Sequence, residues 1–126
     1  MRDNRLVNLS FAILTSIILA LSSCVQKSSQ KTIIVKLDVG SLDSVQTVGI
    51  RGEDKPLSWD YDMELKPAVK DSLYTVVFSL VTGYKFTEVK FTVNGQFELQ
   101  EKDNRRIFFT DLDTTIYEAI FDINSK

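Results

Sequence analysis

The chain has 126 residues, with 15 Lys and Arg against 17 Asp and Glu, a net charge of −2 and 44% hydrophobic residues. Charges of both signs are interspersed and form no basic stripe, so nucleic acid is not an expected partner. There is no histidine. This removes the commonest general base, the Ser-His-Asp and Cys-His nucleophile systems and histidine-containing zinc sites, and the chain is not expected to be an enzyme.

The first element in chain order is an export signal. Arg2 and Arg5 give a positive start, and residues 11–21 (FAILTSIILAL) form an apolar run. That run is roughly half the ~20 residues a bilayer span needs, which fits a cleaved signal peptide rather than a transmembrane anchor. It ends in Leu21, Ser22, Ser23 and Cys24, with small residues before the cut. A leucine three positions before a cysteine resembles the lipobox of bacterial lipoproteins. The resemblance implies that residues 1–23 are removed and that Cys24 carries the lipid.

Cys24 is the sole cysteine and has no partner for an intramolecular disulfide, so the fold must be held by its core. One acyl chain anchors marginally while two or more anchor stably, and the several chains of mature lipoproteins imply persistent membrane attachment. Residues 24–31 are read as the lipidated cysteine and a flexible polar tether (VQKSSQK). Residue 25 is valine, not aspartate, so an inner-membrane retention signal is absent. The expected location is the cell envelope, on the outer membrane, with the leaflet left open.

Residues 32–126 read as strands of one domain. Ile33, Val35, Leu37 and Val39 alternate with Ile34, Lys36 and Asp38, the period of a half-buried strand. A second strand is predicted over 45–51, ending at Gly52, and an irregular stretch with both prolines over 54–67. Tyr74, Val76, Phe78 and Leu80 share one face of a third strand over 73–80, and a fourth runs over 86–93. Asn94-Gly95 predicts a two-residue type I′ hairpin, because both turn positions need positive φ. Returning strands are predicted over 96–100, 106–110 and 115–123. About seven short strands without a helical period predict an all-β, antiparallel, immunoglobulin-like sandwich.

The hairpin sets a register: Val93 opposite Gln96, Thr92 opposite Phe97, Phe91 opposite Glu98 and Lys90 opposite Leu99. Opposed residues share a face. With Val89, Phe91 and Val93 facing the core, Lys90, Thr92, Phe97 and Leu99 should share the outer face. That face is read either as a binding patch or as a surface covered by a neighbouring strand or loop.

Five sequence fragments, taken in order, resemble the starch-binding domain of amylolytic enzymes and the related glycogen-binding module. They are Val48-Gly49-Ile50-Arg51-Gly52, Leu57-Ser58-Trp59-Asp60, DSLYTVVF at 71–78, Glu88-Val89-Lys90-Phe91 before Asn94-Gly95, and Asp103-Asn104-Arg105. The resemblance implies a carbohydrate site in which Trp59 is the first ring platform and Lys90 and Asn104 bind sugar hydroxyls. The second platform falls on Phe97 or Leu99, neither of them the tryptophan usual there. A pyranose presents a face of C–H groups, which calls for an exposed aromatic surface.

Each of these residues has a plainer reading beside the functional one. Trp59 is either a platform or a plug at the end of the sandwich. Lys90 is either a hydroxyl donor or an ordinary surface lysine, and Asn104 is most simply a turn residue. Asp60, Asp62 and Glu64 lack the glycine and remaining ligands of a calcium loop and read as a solvated acidic loop, as do Asp111 and Asp113. No metal and no cofactor are expected. The expected function is non-catalytic binding of an α-glucan-like glycan by a membrane-anchored envelope lipoprotein. The alternative is a protein-interaction or structural module of an envelope complex, with an envelope protein as partner.

Overall fold

The structure, a computed structural model, describes residues 27–124. The signal peptide and Cys24 lie outside the described residues. All regular structure among these residues is β: nine strands, no helix, and therefore no helix able to cross a membrane. They are β1 (Ser29–Asp38), β2 (Val48–Gly52), β3 (Met63–Glu64), β4 (Lys66–Val69), β5 (Leu73–Thr82), β6 (Phe86–Val93), β7 (Gln96–Phe97), β8 (Arg105–Phe108) and β9 (Thr114–Ile120).

One sheet has the order β4-β5-β1-β9; the other runs β3-β2-β6-β7, with β8 also paired to β6. The alternation in β1 has the predicted consequence, since Ile33, Val35 and Leu37 are fully buried. They join Val48 and Ile50 of β2, Tyr74 and Phe78 of β5, Val89 and Phe91 of β6 and Ile107 of β8 in one core between the sheets. Burying a side chain of this size contributes about 1.5–3 kcal/mol relative to leaving it in water.

Four expectations are corrected. Sandwich strands were expected to be antiparallel, but β9 runs parallel to β1, with Ile34 beside Ile116 and the Thr32 N–H donating to the Asp113 carbonyl at 2.8 Å. The count rises above seven because two short strands form around the irregular stretch: Met63–Glu64 pairs with β2 and Lys66–Val69 with β5. Alternation is invisible in elements that short. β1 starts at Ser29, which pairs with Thr82, so residues 29–31 belong to a strand and not to the expected tether. Polar side chains do not prevent a backbone ladder, and Lys31 Nζ is held by the carbonyls of Thr110 and Leu112, both at 3.1 Å.

The fourth correction concerns the hairpin. Asn94 and Gly95 have φ of 52° and 77°, and Thr92 pairs with Phe97 and Val93 with Gln96, as the turn type requires. The ladder then stops. The Glu98 N–H reaches the Phe91 carbonyl at 3.0 Å, but the Phe91 N–H goes to the Glu98 carboxylate and not to its carbonyl. Leu99 follows at φ 47° and is 1% exposed, without joining the core cluster between the sheets. The expected Lys90–Leu99 pair does not form, and Leu99 is not on the outer face.

Candidate functional site

The outer face of the β2–β6–β7 sheet is shaped by what lies on it. Gly49 has no side chain there. A Cβ at this position would come within 2.6 Å of Asp62 and 2.7 Å of the Thr92 hydroxyl. The missing side chain lets the 58–62 loop lie down on the sheet, where Asp62 accepts from Arg51 Nε at 2.7 Å. Thr92 is covered as a result: it is 1% exposed, and its hydroxyl has no hydrogen-bond partner among the described residues. Of the two readings of this face, cover by a neighbouring loop is the one that holds at Thr92.

The same loop delivers Trp59. Its indole N–H donates to Glu53 at 2.8 Å and its carbonyl accepts from Arg51 at 3.1 Å, so the half-buried ring is held at both ends. Arg51 also stacks over Phe97, 5.0 Å from the ring centroid. The Arg51–Asp62 pair is partly exposed and of a kind worth about 0–1 kcal/mol, so its effect is positional. Arg51 was not singled out from the sequence. It lies directly across from Lys90 in the β2–β6 register, a neighbour relation that appears only once those strands are paired.

Lys90 is a clamp as well as a surface group. Its ammonium donates to the carbonyls of Leu99 at 3.0 Å and Lys102 at 2.9 Å, tying down the segment after β7. An ammonium carries three donors, so one remains. Asn104 donates to Glu88 at 3.4 Å. Phe97 is 37% exposed, with Arg51 on one side of its ring.

Four of the five residues named from the sequence therefore meet. Trp59, Lys90, Phe97 and Asn104 line one open cleft of about 370 Å³, completed by Gln100 and Glu101. Leu99 does not line it, being buried beneath the clamped segment. Of the two candidates for the second platform, Phe97 is the one at the cleft. The cleft offers two aromatic rings, an ammonium, two amides and the Glu101 carboxylate, a set able to meet a polyhydroxyl ligand by C–H contact and hydrogen bonding.

Beneath this face is a second feature that the sequence did not announce. Glu98 and Arg105 form a two-point ion pair, with both contacts at 2.7 Å and side chains 0% and 2% exposed. Glu98 also accepts from the N–H groups of Phe91 and Asp122, and Arg105 donates to the carbonyls of Ile120 and Ile123. Burial works against the Arg105 charge, but Glu98 outweighs it and holds the guanidinium above its ordinary value. The pair ties β6, β8 and the turn after β9 together under the 98–102 segment.

Among the described residues, no group of three His, Cys, Asp or Glu side chains is placed to hold a metal ion. The chain matches no protein-family model and no curated protein.

Proposed function

We propose that the protein is a non-catalytic carbohydrate-binding lipoprotein of the cell envelope, and that its sandwich is of the immunoglobulin-like, starch-binding type. The observation that carries the proposal is the convergence of Trp59, Lys90, Phe97 and Asn104 on one cleft, although they come from two strands, a loop and the turn before β8. The smaller ring at Phe97 reduces apolar contact with a sugar, and hydroxyl hydrogen bonds contribute only about 0.5–1.5 kcal/mol each because water competes. Binding of a short α-glucan is therefore expected to be weak.

Trp59 is the one tryptophan in the chain, so its emission reports on this cleft alone. Titration of the full chain with maltoheptaose, in a detergent without a sugar headgroup, is expected to give a saturable emission change. Calorimetry should show the matching heat in the wild type and none in a folded Trp59→Ala variant. A flat emission response together with no heat would sink the proposal.

One observation favours the alternative of an interaction module. On the outer face of the other sheet, Val77, Ile34 and Ile116 form a row across β5, β1 and β9, with Val77 and Ile116 more than half exposed. This reading takes the lead if glucans leave both emission and heat unchanged.

A further inference from the structure

Next to the cleft lies a larger depression of about 600 Å³, which Trp59 does not line. Phe97 and Gln100 line both hollows, so they stand between the depression and the cleft as a shared wall. The polar groups of Asp43, Gln96, Gln100 and Lys102 border the depression. None of these four side chains is paired with a described residue, so their donors and acceptors are left to water.

The backbone around this depression is held in a costly conformation. Six non-glycine residues among the described ones have positive φ: Ser44, Asp71, Asn94, Leu99, Glu101 and Asp122. All but Asp71 line the depression or adjoin a residue that does. Asn and Asp tolerate this region, whereas Leu99 and Glu101 have no short polar side chain to ease it. Such residues persist where the surroundings over-determine them, and they gather at ligand clamps. Here the surroundings are the Lys90 clamp on Leu99 and Lys102 and the bond from the Leu99 N–H to Asp122 at 2.7 Å.

We infer that the depression is a second compartment for the same ligand, so that Phe97 is a central platform and not the end of the site. The occupant is an uncharged oligosaccharide long enough to cross the ring from the Trp59 cleft. Asn94 and Asp122, which also line it, are engaged by backbone groups; the remaining ammonium, two amides and Asp43 carboxylate present both donors and acceptors without an excess of positive charge. That set matches hydroxyl groups and does not match a phosphate or sulfate. The inference rests on the carbohydrate reading of the cleft and specifies the length of chain it takes.

The test compares maltotriose with maltoheptaose by calorimetry, using the full chain and the Gln96→Ala/Lys102→Ala variant. Both substituted side chains are exposed and border only the depression, and circular dichroism checks that the variant folds. The wild type should bind the heptamer at least about tenfold more tightly than the trimer, from two or more added hydrogen bonds. The variant should lose that gain while its trimer affinity stays within about twofold of wild type, the margin left when no hydrogen bond to the trimer is removed. Equal wild-type affinity for both sugars, or equal loss of both in the variant, overturns the second compartment and leaves the cleft standing. Absence of binding at either length overturns the cleft and the compartment together.

Discussion

The guanidinium of Arg51 reaches the Asp62 carboxylate, the Trp59 carbonyl and the face of the Phe97 ring at once. A planar group with five donors can serve these directions together; an ammonium, a compact point charge, cannot. Next to it, Thr92 shows the cost of covering the sheet. Its hydroxyl is buried beside Gly49 without a hydrogen-bond partner among the described residues. Burying such a group costs about 1–3 kcal/mol. Thr92→Val keeps the shape and removes the unpaired oxygen, so it should stabilise the fold by about 1 kcal/mol. The urea midpoint should rise with an unchanged slope; a fall would mean that the hydroxyl has a partner in solution.

At the scale of elements, β7 is short because the Glu98 side chain takes over a bond that the ladder would otherwise make. The carboxylate then belongs to four donors from β6, β8 and the turn after β9. Cutting one member of such a pair leaves a buried charge without compensation, which typically costs 3–5 kcal/mol. Glu98→Ala is therefore expected to lower unfolding free energy by about that amount. Adding Arg105→Met should restore part of the loss, since the orphaned charge is then gone. If the double variant proves no more stable than Glu98→Ala, the loss does not come from an uncompensated Arg105. The 98–102 segment borders both hollows, so this brace also holds the wall of the proposed site.

Across the whole molecule, the two sheets present different outer faces. One carries the cleft and its polar neighbours; the other carries the Val77–Ile34–Ile116 row. The proposed lipid on Cys24 would tether the domain through the residues leading into β1, which lies in the sheet with the apolar row. Labelled palmitate should enter the wild-type chain and not Cys24→Ser, whose signal should also stay uncleaved. Equal labelling of the two would remove the lipobox reading.

Much of this architecture is written locally. The alternation in 33–39, 73–80 and 86–93 determined which side chains face the core, because period-two patterning is a property of a strand whatever its neighbour. Asn94-Gly95 determined the turn and the first two hairpin pairs, since its backbone preference is carried by two residues. Trp59, Lys90, Asn104 and either Phe97 or Leu99 were named together through the resemblance. The meeting of Trp59, Lys90, Phe97 and Asn104 in one cleft, the parallel β1–β9 pair, the two strands at 63–69 and the burial of Leu99 were decided only in three dimensions. Arg51 and the Glu98–Arg105 pair belong to the same group. Each of these depends on partners brought together by pairing between strands distant in the chain, and such contacts leave no period in the sequence.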